Sequence, residues 1–205
     1  MPEAASLPLI LGSGSPFRRR MLEAAGLVFQ VVVADVDEAV LKQELARQVP
    51  AHGPSGIAQA LARAKAEAVS SIHPAAMVIG ADQVLALDGE LFDKPADVGA
   101  ARLQLQKLRG KTHRLTSAVV LAHGGKAVWT HVDEAVMTMR AFSADFLEHY
   151  LSQGDADLCR MVGAYEIEGA GIQLFQRVEG DHFTIIGLPL LPLLAELRAQ
   201  GVIEV

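Results

Sequence analysis

Leu9-Ile-Leu-Gly-Ser-Gly-Ser-Pro-Phe-Arg-Arg-Arg-Met-Leu22 decides how the chain is read. An apolar run ends in Gly-Ser-Gly-Ser. Ser15 then offers a helix N-cap, and Pro16 stands at the first helical position, where its missing N–H costs nothing. The order is therefore strand, tight loop, helix. Backbone N–H groups at such a helix start, with Arg18, Arg19 and Arg20 in or near its first turn, form a cradle for phosphate or another anion. The arginines oppose the helix dipole, which favours acidic residues at that end. A bound anion resolves the conflict.

Working outward, the chain reads as an α/β protein. Strands are expected at Leu7–Leu11 and Val28–Val33, the second running into the acidic segment Asp35-Val36-Asp37-Glu38. The carboxyl end of a strand in an open α/β sheet faces the ligand crevice. Residues 49–56, with two prolines and two glycines, read as a loop, followed by a helix from Ser55 to about Ser71 that carries Lys65 near its apolar side. That lysine either snorkels to water or reaches into a cleft. Met77–Ala81 reads as a strand interrupted by Asp82-Gln83, resuming at Val84–Leu87 before a hairpin turn at Asp88-Gly89. Asp97 and Ser143 cap two further helices. Between them Leu115–His123 and Ala127–Met139 pair about Gly124-Gly125. Ile172–Val178 and Phe183–Ile186 are expected to form a last hairpin, and Pro189 opens the final helix. Parallel units followed by hairpins predict a mixed sheet covered by helices.

Composition narrows the function classes. The 205 residues carry a net charge of -6, which argues against holding nucleic acid by bulk electrostatics and requires any anion site to be local. The single cysteine, Cys159, excludes an internal disulfide or a cysteine zinc cluster and fits a reducing compartment. No basic leader precedes a long apolar stretch in residues 1–11, and no membrane span is expected; the expected location is the cytoplasm. The seven histidines include no closely spaced metal-binding pair. Gly12-Ser13-Gly14-Ser15-Pro16-Phe17 meets neither the dinucleotide fingerprint nor the P-loop, and it is too short for a nucleophile elbow.

The acidic residues carry more information. An aspartate amid an apolar strand is poorly suited to its place unless it is paired, hydrogen-bonded or metal-bound, so Asp82 reads either as a functional carboxylate or as a turn or edge residue. Glu38, if near Asp82, would suit a hard cation such as Mg²⁺. Lys94-Pro95 follows the hairpin turn.

Ser13-Gly14-Ser15-Pro16-Phe17-Arg18-Arg19, Val36-Asp37-Glu38, Ala64-Lys65-Ala66, Gly80-Ala81-Asp82-Gln83, Asp93-Lys94-Pro95 and Gly187-Leu188-Pro189-Leu190 resemble, in order and spacing, the motifs of the Maf family, from about Leu9 to Arg198. The resemblance implies one Maf-like domain over residues 1–205, a mixed sheet with two lobes around a central cleft related to inosine triphosphatases, and often a homodimer. It implies a nucleoside triphosphate pyrophosphatase that cleaves between the α and β phosphates, with Mg²⁺ or Mn²⁺. Asp82 then matches the catalytic aspartate, as general base or as metal ligand. Ser13, Arg18, Lys65 and Lys94 match positions around the triphosphate, and Glu38 a metal-associated carboxylate.

Three further positions distinguish subfamilies and fall here on Phe17, Gln83 and Glu168. The pyrimidine type has arginine, threonine and glutamine, and the 7-methyl-GTP type has tryptophan, glutamine and glutamate. The chain is nearer the second and departs from it at Phe17, which serves either as a stacking surface for a methylated purine or as a core anchor. The expected task is removal of modified nucleotides before incorporation. The alternatives are a dTTP and UTP pyrophosphatase on the same scaffold, and a non-catalytic nucleotide-binding regulator of cell division.

Overall fold

A computed structural model describes residues 7–46, 49–154 and 156–204. The N-terminal residues 1–6, part of the stretch read for a leader, lie outside the described residues, as does the side chain of His52. The strands are β1 (Leu9–Leu11), β2 (Gln30–Val31), β3 (Met77–Leu87), β4 (Glu90–Phe92), β5 (Thr112–His123), β6 (Lys126–Met139) and β7 (Phe175–Glu179). The helices are α1 (Pro16–Ala24), α2 (Glu38–Ala46), α3 (Val49–Ile72), α4 (Val98–Leu108), α5 (Ala144–Gln153), α6 (His182–Ile186) and α7 (Leu190–Ala199). The result is a mixed α/β fold with a seven-stranded sheet ordered β2-β1-β3-β5-β6-β7, with β4 pairing β3 off that path.

The chain divides into two compact units. One comprises the segment ending at Asp82, the hairpin Ser117–Asp133 and the stretch from Gly187 onward. In it β1 pairs in parallel with β2 and with β3, Leu11 lying opposite Val31 and Ile79. Ser15 caps α1 by accepting from Arg18 N, a contact worth about 1 kcal/mol. Met21 and Leu22 bury the apolar face of that helix.

The approach of α3 to β3 is set by small residues. Ala58, Ala62 and Ala66, four apart on one helix face, are fully buried, and opposite them stands Gly80. A Cβ on Gly80 would meet Ala62 O at 2.3 Å and Ala66 N at 2.7 Å, so only glycine admits the helix this closely. Leu11, Leu22, Ile57, Leu61 and Ile79 complete the core, each contributing about 1.5–3 kcal/mol by burial.

The other unit comprises Gln83–Thr116 and Glu134–Ile186. The second half of β3 turns at Asp88-Gly89, both with positive φ, and pairs antiparallel with β4. Asp97 and Ser143 cap α4 and α5 as the sequence implies. Leu85, Leu105, Leu108, Leu115, Met137 and Met139 lie at the centre of its core.

Several sequence expectations are corrected, and one helix, α2, has no counterpart among them. β3 is not interrupted at Asp82 but runs unbroken through it, because Lys65 neutralises the carboxylate there. Residues 49–56 are not a loop: helical backbone flanks a single kink at Gly53 (φ 57°, ψ -176°). The segment after Asp37 is α2, with Asp37 Oδ1 accepting from Val40 N at 3.0 Å. Ile172–Leu174, expected to open the other strand of the last hairpin, lie in a 3-10 turn (Ala170–Leu174), and Phe183–Ile186 is not a strand. Asp181 Oδ1 accepts from Phe183 N and Thr184 N and winds the segment into α6, while β7 takes β6 as its partner. The second strand is also shorter than expected, Val28 being 93% exposed.

Candidate active site

Parallel pairing brings the end of β1 and the middle of β3 together. Gly12 N donates to Ile79 O at 2.8 Å, so Ser13 emerges from β1 beside the stretch Gly80-Ala81-Asp82. Asp82 is buried, and its Oδ1 accepts from Lys65 Nζ at 2.6 Å. Lys65 is buried too, and the same ammonium lies 2.9 Å from Oε1 of Glu38 at the start of α2. One lysine thus serves two carboxylates from separate elements. The Ala62 and Ala66 contacts at Gly80 are what bring the Lys65 turn of α3 down to the strand.

Arg18 supplies a second buried cation. Its Nε donates to Gly187 O at 2.9 Å, and its Nη1 to Ala81 O at 2.9 Å and Ser13 Oγ at 3.1 Å. The guanidinium therefore ties α1 to β3 and to the turn before α7, with Nη2 outside these three contacts. Burial lowers its pKa, opposed by the charges of Asp82 and Glu38. Ser13 Oγ also accepts from Ser15 N at 3.3 Å, which folds the Gly-Ser-Gly-Ser loop onto itself.

Oδ2 of Asp82 is buried and has no hydrogen-bond partner among the described residues. An orphaned carboxylate oxygen is costly unless a water, a proton or a cation meets it. Among the described residues no group of three or more histidine, cysteine, aspartate or glutamate side chains is placed to hold a metal. The donors on offer are hard carboxylate oxygens, a set that suits an oxygen-preferring cation drawing its remaining ligands from water and substrate.

The other residues singled out from the sequence are distributed as follows. Phe17 is half-buried on α1, and the Arg20 guanidinium lies 5.0 Å from its ring centroid and covers the ring. Arg19 pairs with Glu23 on the surface. In the second unit, Gln83 Nε2 donates to Thr184 O and Ile185 O, both at 3.0 Å, and holds the end of α6. Lys94 is exposed between β4 and α4. Glu168 is exposed, with Oε1 3.6 Å from His182 Nε2. The structure thus gathers Ser13, Arg18, Glu38, Lys65 and Asp82 in one unit, and links Gln83 and His182 through α6 in the other. His182 and Gly80 were not singled out from the sequence. A glycine inside an apolar strand was a readable sign of close backbone approach, whereas nothing local marks His182.

Fold and site together define an α/β protein whose buried cations Arg18 and Lys65 cluster with buried Asp82 and the more exposed Glu38 beyond a parallel strand pair. The model of the Maf-like protein family matches residues 8–200, and the chain belongs to that family. It is 52% identical over 200 residues to a protein of Brucella abortus biovar 1 (strain 9-941) named 7-methyl-GTP pyrophosphatase, covering 97% of this chain and 99% of the relative. A protein of Mesorhizobium japonicum with the same name is 52% identical, covering 96% of this chain and 98% of the relative. A protein of Paramagnetospirillum magneticum named nucleoside triphosphate pyrophosphatase is 53% identical, covering 94% and 98%.

Proposed function

We propose that the protein is a nucleoside triphosphate pyrophosphatase, a hydrolase that cleaves the α–β phosphoanhydride bond to give a nucleoside monophosphate and pyrophosphate. The observation that carries the reading is the Lys65–Asp82 pair, which leaves one carboxylate oxygen buried and unpartnered beside the Ser13–Arg18 loop. Near-full-length identity to relatives named for this activity supports it.

In this reading Asp82 Oδ2 receives the attacking water and takes its proton as the oxygen adds to the α-phosphorus. The bond to the bridging oxygen breaks, and pyrophosphate leaves as the anion. Lys65 holds Asp82 in one orientation through Oδ1. Arg18, immobilised by two backbone carbonyls, fixes positive charge near Ser13, where the phosphate oxygens would lie; such preorganised charge carries much of the rate enhancement in phosphoryl chemistry. Asp82 and Glu38 are the residues that would hold Mg²⁺ or Mn²⁺, which when bound supplies Lewis-acid polarisation of the phosphate oxygens. Chelation with EDTA is expected to abolish turnover, and added Mg²⁺ to restore it.

We assign a modified purine such as 7-methyl-GTP as the substrate, on the family resemblance at Phe17, Gln83 and Glu168 and on relatives named 7-methyl-GTP pyrophosphatase. An aromatic ring such as that of Phe17 suits stacking on a cationic methylated guanine. Gln83 contributes by fixing α6, whose His182 meets Glu168. The half-buried Cys159 and a free nucleotide substrate fit action in the cytoplasm. Comparing kcat/KM for 7-methyl-GTP, GTP, UTP and dTTP tests the assignment: preference for 7-methyl-GTP is expected, and preference for UTP and dTTP would reverse it.

A further inference from the structure

Inside the second unit a polar pair is buried among apolar side chains and takes no part in the assigned chemistry. His113 on β5 and Tyr165 are both buried, and the imidazole Nε2 lies 2.7 Å from the phenol hydroxyl. The Phe175 ring packs edge-on against Tyr165 at 4.8 Å and lies 6.0 Å from His113. Nδ1 of His113 is buried and has no hydrogen-bond partner among the described residues. Two apolar side chains of the same shape would fill this space without an orphaned polar atom. What the polar pair adds is direction: one ring nitrogen and one hydroxyl fix a single orientation of Tyr165 and of the backbone that carries it.

That backbone is the turn leading to Glu168, and three further contacts act on it. Tyr150 on α5 donates its hydroxyl to Ala164 O at 3.1 Å. Ala164 is fully buried and holds a left-handed φ of 57°, which a non-glycine residue keeps only where its surroundings impose it. Gly169 N donates to Glu166 O at 3.2 Å. Gly171, in the 3-10 turn, lies so close that a Cβ on it would meet Glu166 O at 2.5 Å and Glu166 N at 2.8 Å. The backbone on both sides of Ile167 and Glu168 is therefore clamped. Ile167 packs against the core, and Glu168 is left exposed with Oε1 3.6 Å from His182 Nε2. A loop needs none of this merely to cross the surface.

We propose that Tyr165, held by His113, is a positioning residue for substrate choice: it fixes the turn that presents Glu168 and acts on the base through that carboxylate alone. The inference rests on the assignment of Glu168 to base selection made above. Its signature differs from that of a general core role, because selectivity changes while the rate of the chemical step does not.

The test is pyrophosphate release with Mg²⁺ from 7-methyl-GTP and from UTP, read as kcat and KM for each, in variants whose fold is verified by circular dichroism. Tyr165→Phe keeps the ring and removes the hydroxyl. It is expected to hold kcat on 7-methyl-GTP within about twofold of the parent and, through KM, to lower the kcat/KM ratio of 7-methyl-GTP over UTP by about fivefold, the usual effect of one neutral hydrogen bond. His113→Leu should do the same, and His113→Gln, whose amide can meet the same hydroxyl, should stay nearer the parent. Tyr150→Phe, which frees Ala164 O, decides the matter should Tyr165→Phe not fold. Leu108→Val, a cavity in the same core, should leave the ratio at the parent value. Glu168→Gln should lower the ratio by itself, and adding Tyr165→Phe to it should lower the ratio no further, since both changes act through one carboxylate. A lowered ratio in Glu168→Gln beside a parent ratio in Tyr165→Phe and Tyr150→Phe overturns the inference, as do additive effects in the double variant. A parent ratio in Glu168→Gln, or a parent that turns over neither nucleotide, removes the reading on which the inference rests and overturns it by that separate route.

Discussion

The ammonium of Lys65 stands 2.6 Å from Oδ1 of Asp82 with both side chains at or below 10% exposure, so neither charge has water to fall back on. Removing one member of such a pair strands the other, a change that typically costs 3–5 kcal/mol. Lys65→Met is therefore expected to lower unfolding stability by about 3 kcal/mol in urea titration. Combining Lys65→Met with Asp82→Asn should recover a large part of that loss, because the buried charge is removed. Equal stability of Lys65→Met and the parent would mean that the pair is solvated.

The distance between α3 and β3 rests on a missing side chain. In Gly80→Ala the new methyl group collides with Ala62 O and Ala66. Overpacking of this kind costs about 1–3 kcal/mol, and here the displaced helix carries Lys65. Gly80→Ala is expected to lose stability by that amount and to lose kcat by more than a comparable overpacking elsewhere in the core, such as Ala101→Val on α4. A variant with full kcat would show that the Lys65 position tolerates helix movement.

Residues whose meaning is local were legible. Ser15, Asp97 and Ser143 announce helices by accepting from N–H groups three residues on, and Asp88-Gly89 announces its turn by tolerating positive φ. What failed was set by distant partners. Asp82 reads as a break in a strand until Lys65, 17 residues earlier, is placed against it. Residues 49–56 carry two prolines, two glycines and a serine, yet only Gly53 leaves the helical region. Residues 182–186 have strand-like composition but follow Asp181, whose carboxylate favours a helical turn. Of the candidate site, Lys65 was recognised as either snorkelling or reaching inward, and burial decides for the second. The carbonyl contacts that immobilise Arg18 were invisible, since backbone acceptors leave no trace in side-chain chemistry.

His113 supplies a pH-dependent term remote from Asp82 in sequence. It is 1% exposed, its Nε2 lies 2.7 Å from the Tyr165 hydroxyl, and burial pushes its pKa down from 6.5 to about 4. The folded state holds it neutral while the unfolded chain takes up the proton at higher pH. Its contribution is therefore fully present above about pH 6.5 and is lost as pH falls toward 4, a span worth about 3 kcal/mol. Unfolding free energies measured from pH 7 to 4 should fall more steeply for the parent than for His113→Gln. Parallel curves would show that the imidazole is accessible to water.

The most direct test of the account is pyrophosphate release from 7-methyl-GTP in the presence of Mg²⁺, by the parent and by Asp82→Asn, with the fold of each checked by circular dichroism. The account expects rapid release by the parent and a fall in kcat of about 10²–10⁴-fold in the variant, the usual worth of a positioned general base. A folded Asp82→Asn protein that releases pyrophosphate within about twofold of the parent rate, well inside that range, would contradict it.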